Sequence, residues 1–454
     1  MRIHFIAIGG AVMHNLAIVL HQKGHSVSGS DDEIYEPSKS KLSCYGLLPE
    51  KPGWDSNRIT KDIDYIILGM HARSDNPELM KAQELGIRIF SFPEFLYDQT
   101  KSKKRIVVAG SHGKTTTTAI IMHVFKFLGI KFDYMAGSSI EGYETMVGLS
   151  DEAGVALFEG DEYFSSAIDR RPKFQLYRPD IAVLNGISWD HMNIFPDFEN
   201  YIDQFRILVE MIPEGGSLIY FDDDPEVKKI AAAPGGKIRK IPYKVHGYFQ
   251  NKTGFYAATH DRVVPVKIFG EHNMQNLSAA KEVCLAYGIK EDDFYNAVQS
   301  FAGTSRRLQL LNENENGTAF LDFAHSPSKV RATVEAVSER YPGRSIIACL
   351  ELHTYSSLNI GFLPLYRETL EKASFGFVYY NPHSLEIKKL PPLSKKMVEE
   401  AFAGDNIKVF DNSEEMFSFI RKQLFAWPVY LFMSSGDFNG YDLENLADEL
   451  LVDY

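Results

Sequence analysis

The sequence predicts an α/β protein made of consecutive parallel-sheet domains, on three observations. Apolar strand-like runs alternate with helical stretches along almost the whole chain. Many runs end in glycines or charged residues, as strands do where a parallel sheet opens a crevice at its carboxyl edge. At 454 residues the chain also exceeds what one hydrophobic core ordinarily organises.

Taken in order, RIHFIAI, AVMHNLAIVLHQKG and HSVSGSD read as strand, helix and strand, and DYIILGM and RIFSF continue the series. The polar run DQTKSKKR (98–105) marks a boundary. A second series opens with RIVVAG and the helix after Lys114, then runs through GVALFEGDE and DIAVLNGISWDH. Between about 216 and 268, SLIYF, KIPYKV, GFYAAT and VVPVKIF read as antiparallel strands, and GEHNMQNLSAAKEVCLAYG resumes a helix. TAFLDFAHSP, RSIIACLEL, FGFVYY, IKVFDN and VYLFMSSGD form the third series. The expected domains are 1–102, 103–303 and 304–454.

A formal net charge of −12 argues against a protein that grips nucleic acid or an anionic membrane. Cys44, Cys284 and Cys349 are far apart and form no Cys-x-x-Cys pair, which points to a reduced chain without a disulfide framework or structural zinc. The opening MRIHFIAIGGAVM reads as a first strand and its turn, and no apolar run is long enough to span a bilayer. The expected location is cytoplasmic. Nothing in the pattern specifies an oligomeric state.

The strongest motif is RIVVAGSHGKTTTTAII. A turn with Gly110 and Gly113 can offer backbone N–H groups to phosphate oxygens, Lys114 can neutralise them, and the Thr115 hydroxyl can ligate Mg²⁺. Val108 stands where the strict phosphate-loop pattern has a glycine. Glu159, Asp161 and Glu162 end the next strand as hard oxygen donors, although alone they would read as a solvated turn. Asp190–His191 ends the one after. Asn273 and Asn276 lie three apart at a helix start, where amides can read a base edge or cap the helix. Arg306, Arg307, Asp322 and His325 gather at the opening of the third series. In the first series Ala7, Gly9 and Val12 occupy the three dinucleotide-fingerprint positions. That leaves a tight phosphate turn at Gly9–Gly10 rather than a complete dinucleotide site, which counts against a nicotinamide-dependent oxidoreductase.

Together these residues resemble the Mur ligases, which join amino acids or peptides to UDP-N-acetylmuramate at the expense of ATP. GSHGKTTT is similar to that family's own phosphate loop, which does not require the glycine replaced by Val108. The resemblance implies a Rossmann-like N-terminal domain, a P-loop ATPase-like central domain and a Rossmann-like C-terminal domain. It implies catalytic roles for Lys114, Glu159 and His191, with Mg²⁺ held by Thr115, Glu159 and His191. ATP would meet Gly110, Ser111, His112, Gly113, Lys114, Thr115 and Thr116, together with Asn273, Asn276, Arg307 and Asp322. UDP-N-acetylmuramate would meet Gly9, Gly10, Ser30, Asp31 and His71, and a murein peptide His325 and His353. Val12 and His14 depart from the small residues of the family's nucleotide-sugar turn, and Ser326 stands where many relatives carry a second histidine. GDEYFSSAIDRRPKFQLYRP and FMSSGDFNG resemble the branch that adds a preformed tripeptide in peptidoglycan recycling. L-Alanine addition is the alternative, as is a non-catalytic nucleotide-sugar sensor. The folate-polyglutamating relatives lack a counterpart of the first domain.

Overall fold

A computed structural model of the chain describes residues 1–189, 194–233, 236–251 and 254–452. It divides into two compact units, residues 1–188, 197–244 and 279–298 in the first and 189–196, 245–278 and 299–454 in the second.

The first unit holds two sheets. Strands β1 (Arg2–Ile6), β2 (Ser26–Ser30), β3 (Tyr65–Leu68) and β4 (Arg88–Ser91) form a four-stranded sheet in the order β2-β1-β3-β4, parallel throughout. The core residues Ile6, Ile66, Leu68 and Leu79 pack together beneath it. Two of its helices start where side chains supply hydrogen-bond acceptors. Asn76 accepts from Glu78 N and Leu79 N ahead of Pro77, and Ser91 with Glu94 forms a reciprocal capping box.

The second sheet contains β5 (Lys104–Ala109), β6 (Phe132–Met135), β7 (Val147–Gly148), β8 (Val155–Glu159), β9 (Ile181–Leu184), β10 (Ser217–Phe221) and β11 (Arg239–Tyr243), ordered β11-β10-β9-β5-β8-β6-β7. β8 and β9 are buried along their whole length, as strands covered on both faces must be. β10 and β11 run parallel to their neighbours, which corrects the antiparallel expectation for SLIYF and KIPY. The cause is a crossover helix, Pro225–Ala232, between them. Asp224 accepts from Glu226 N at 2.9 Å and Val227 N at 3.0 Å, and Pro225 presets the first turn. A parallel return needs such a crossover, whereas a hairpin does not.

In the second unit β12 (Tyr248–Asn251), β13 (Gly254–Ala258) and β14 (Val263–Val266) form an antiparallel sheet, in which β13 and β14 match the expected strands and β12 was not expected. β15 (Gln309–Asn314), β16 (Gly317–Asp322), β17 (Ser345–Leu352), β18 (Phe375–Tyr380), β19 (Ile407–Phe410) and β20 (Pro428–Met433) form a six-stranded sheet, ordered β15-β16-β20-β17-β18-β19. Only β15 is antiparallel in this sheet, and the sequence reading omitted it, as it did β6, β7 and β12. The mixed burial pattern of β15 leaves no continuous apolar run to notice.

Candidate active site

β5 sits at the centre of its sheet with β9 on one side and β8 on the other, so the turn after β5 lies between two other strand ends. Gly110 has φ +114°, and a Cβ there would fall 2.8 Å from both Asn185 N and Gly186 O of the turn after β9. Only glycine lets the two backbones approach this closely. Ser111 N donates to Gly186 O at 2.8 Å, and its hydroxyl bonds Ser188 O and Tyr201 Oη. Gly113, at φ +70°, opens the helix Lys114–Phe127 without a side-chain cap. Its first amides face the turn as an anion-binding end.

The charged groups are arranged in pairs. Lys114 Nζ donates to both oxygens of Glu162 at 2.9 Å and to Gly110 O at 2.7 Å. Glu162 is buried, with its side chain 1% exposed. Thr115 Oγ1 donates to Glu159 Oε1 at 2.8 Å, and Gly137 N donates to Oε2 at 2.7 Å. A Cβ at Gly137 would lie 2.6 Å from that carboxylate, so the glycine admits it. Lys173 Nζ meets Asp161 Oδ2 at 2.6 Å. His112 is half-buried and Thr116 buried in the same turn and helix start.

The donor set fits Mg²⁺, a hard cation that takes one or two protein oxygens and keeps water or phosphate for the remainder. Thr115 Oγ1 and Glu159 adjoin each other, with Glu162 held on the lysine. Among the described residues no three His, Cys, Asp or Glu side chains form a metal cluster. His191 lies outside the described residues, as does Asp190. Sequence reasoning gave Glu162 only as a metal ligand and missed its pairing with Lys114. It also missed Tyr201 and Asn185, whose side chain donates to Thr117 Oγ1 at 3.0 Å. No local pattern marks them, because each reaches the turn from a separate element.

The first sheet repeats the strand–turn–helix layout with different charge. Gly10 opens the helix Ala11–Gln22 without a side-chain cap. Gly9 N donates to Asp31 Oδ2 at 2.7 Å. Burial of Asp31, opposed by that amide, raises its pKa to about 6. The Ser30 hydroxyl bonds the buried Glu78, which also accepts from Asp55 N at 2.9 Å. His71 is exposed after β3, on the same sheet edge. His14 Nδ1 lies 2.9 Å from Gly10 O and from Ser38 Oγ, and burial lowers its pKa.

In the second unit Asp322 ends β16, buried. It accepts from Leu308 N and Ala324 N, both at 2.7 Å, and fixes the turn that carries Arg306 and Arg307. Arg307 lies over the Phe323 ring at 4.7 Å. The Asn273 side chain donates to Phe269 O at 2.9 Å, and Asn276 is buried beside it on the same helix. His325 Nδ1 is 2.8 Å from Phe323 O, and Ser326 opens the helix Pro327–Arg340 without a side-chain cap. His353 follows β17, with its side chain 42% exposed. All three cysteines are free, as the sequence implied. No helix among the described residues is long and apolar enough to cross a membrane.

Comparison with known proteins bears on the same regions. Residues 2–104 match the family described as Mur ligase family, catalytic domain, and residues 108–284 match the Mur ligase middle domain. The chain is 32% identical over 362 residues to the Escherichia coli UDP-N-acetylmuramate–L-alanyl-γ-D-glutamyl-meso-2,6-diaminoheptandioate ligase, covering 77% of this chain and 79% of that protein. It is 28% identical over 460 residues to the UDP-N-acetylmuramate–L-alanine ligase of Carboxydothermus hydrogenoformans, covering 98% and 96%. In fold it is similar to a murein peptide ligase from Psychrobacter arcticus (TM-score 0.69, 24% identity, 100% of this chain and 99% of that one). It is also similar in fold to the alanine ligase of Thermotoga maritima (TM-score 0.72, 19% identity, 99% and 98%). With its phosphate turn, acidic strand end and sheet order in place, the chain belongs to the Mur ligase family, whose members are ATP-dependent amide-forming ligases that release ADP and phosphate.

Proposed function

We propose that the protein joins the tripeptide L-Ala-γ-D-Glu-meso-diaminopimelate to UDP-N-acetylmuramate through an acyl phosphate, in cytoplasmic peptidoglycan recycling. The observation that carries the chemistry is the paired arrangement at the β5 turn, Lys114 on Glu162 and Thr115 on Glu159. A carboxylate oxygen leaves poorly, so the muramate carboxylate is first phosphorylated by ATP. The peptide amine then attacks the acyl carbon and phosphate departs. Lys114 and the amides at the start of the helix Lys114–Phe127 oppose charge on the transferring phosphoryl group. Thr115 and Glu159, with His191 by resemblance, would hold Mg²⁺, which supplies Lewis-acid stabilisation of the phosphate oxygens. Asn273, Asn276, Arg307 and Asp322 are assigned to the nucleotide, Gly9, Gly10, Ser30, Asp31 and His71 to the UDP-sugar, and His325 and His353 to the peptide. The domains are assigned as 1–102, 103–303 and 304–454.

The tripeptide reading rests on the stretch GDEYFSSAIDRRPKFQLYRP and on the 32%-identical relative. L-Alanine addition is a second reading, supported by relatives similar over nearly the whole chain. A tripeptide offers carboxylates remote from the reacting amine, and binding energy from them can orient it. The expected result is a kcat/KM for the tripeptide at least about a hundredfold above that for free L-alanine, with UDP-N-acetylmuramate saturating. A higher value for alanine assigns the protein to the alanine ligases.

A further inference from the structure

Buried at the end of β17 is a carboxylate that neither the sequence nor the family resemblance singled out. Glu351 is 2% exposed, yet it carries no lysine or arginine as a direct ion-pair partner among the described residues. Its carboxylate accepts from the Ser434 hydroxyl and from Phe438 N at 2.9 Å, both on the segment after β20. His353, two residues further on, places Nδ1 3.6 Å from Glu351 Oε1. Gly436 leaves room for both side chains. A Cβ there would lie 2.8 Å from Glu351 Oε2, 2.9 Å from His353 Nδ1 and 3.0 Å from Cγ. β20 lies between β16 and β17, so this group occupies the crevice where the strand order of the sheet reverses.

The Glu351 carboxylate, 3.6 Å from Nδ1, is close enough to favour a proton on that side of the ring by its charge, which turns Nε2 outward as the nitrogen with the lone pair. The ring is half exposed. We infer that His353, oriented by Glu351, takes the proton from the incoming ammonium group, so that the amine reaches the acyl phosphate as a free base. Glu351 is the positioning residue. This rests on the acyl-phosphate reading above.

The step balances as follows. The ammonium gives one proton to His353 Nε2, and its nitrogen pair forms the bond to the acyl carbon. The carbon–oxygen bond to phosphate breaks with its electron pair going to the leaving phosphate, which accepts the second amine proton, and His353 returns its proton to water. The other charged groups facing this crevice are Arg306, from the loop before β15, and Asp437, from the segment after β20. Arg306 donates to Gly436 O and senses Asp437, Glu351 and Asp322 electrostatically.

Hydroxylamine, unprotonated at neutral pH, tests the step because it traps an acyl phosphate without a base. Hydroxamate formation and tripeptide ligation are measured in parallel for the full-length protein, His353→Gln and Glu351→Gln, with ATP, Mg²⁺ and UDP-N-acetylmuramate. The expected result for His353→Gln is a fall of about a hundredfold in the ratio of peptide ligation to hydroxamate formation, carried by kcat. Glu351→Gln should give a smaller fall in the same ratio, again carried by kcat with the peptide KM unchanged, because the imidazole loses the carboxylate that orients it. Equal loss of both reactions in His353→Gln overturns the inference, and so does a loss confined to the peptide KM. Absence of hydroxamate with the unaltered protein refutes the acyl-phosphate reading, and this inference with it.

Discussion

The turns after β5 and β1 share one backbone plan and differ in charge. Each follows an inner strand of a parallel sheet, and each opens a long helix without a side-chain cap, at Gly113 and Gly10. The β5 turn adds a lysine held by a buried acid and a threonine held by another. The β1 turn adds a buried acid, Asp31, that takes one of the turn's own amides. Backbone alone therefore sets up an anion-binding end. The side chains decide whether it suits a phosphoryl group in flight or one that is merely bound.

Breaking the first arrangement should have the largest effect. Lys114→Ala is expected to lower ATP-dependent phosphate release by at least about a thousandfold. It should also destabilise the fold by on the order of 3 kcal/mol, because the Glu162 carboxylate is left buried without its cation. Lys114→Ala combined with Glu162→Gln should recover most of that stability and none of the activity, read by urea unfolding beside a phosphate assay. Recovery of activity would show that the lysine serves the fold.

The two glycines come next. At Gly110 a side chain meets backbone on both sides with φ at +114°, whereas at Gly9 the nearest atoms are the Asp31 carboxylate at 2.9 Å and the Ile34 side chain at 3.1 Å. Gly110→Ala should cost about 2–4 kcal/mol and Gly9→Ala about 1 kcal/mol, since side chains yield and backbone does not. Equal losses in thermal unfolding would contradict the distinction.

The smallest effect concerns pH. Asp31 has a folded pKa of about 6, above its ordinary 3.8, so between about pH 4 and 6 the folded protein binds the proton that the unfolded chain has lost. Stability attributable to this group falls as pH rises through that window. Asp31→Asn should flatten the slope by about 1–3 kcal/mol across it. An unchanged slope in urea titrations at pH 4 and 6.5 would place the carboxylate in contact with water.

What the sequence disclosed and withheld follows from the same physics. The residues around Lys114 and Glu159 were legible because strand, turn and helix are contiguous and each residue type has a definite chemical use. The crossover Pro225–Ala232 was missed although Asp224-Pro225 is a helix start, because it is a short helix between two short strands. Glu162 on Lys114, and the Ser434 and Phe438 donors on Glu351, involve segments brought together by strand order, which no local spacing encodes. Ser30, proposed to meet the nucleotide-sugar, also bonds Glu78 through its hydroxyl. That partner lies 48 residues away and no local pattern announces it.

The pairing of Lys114 with Glu162 also bears on how the protein meets its ionic surroundings. A bare lysine in a phosphate loop collects anions from solution, and a nucleotide must displace them. Its affinity then falls as salt is added. Here the anion is built into the chain and covered from solvent. If a phosphate takes the ammonium, the carboxylate must yield it, and no solution anion has to leave the lysine. The expected outcome is a nucleotide affinity that falls less steeply with added salt than in Glu162→Gln, read by titrating binding at several salt concentrations.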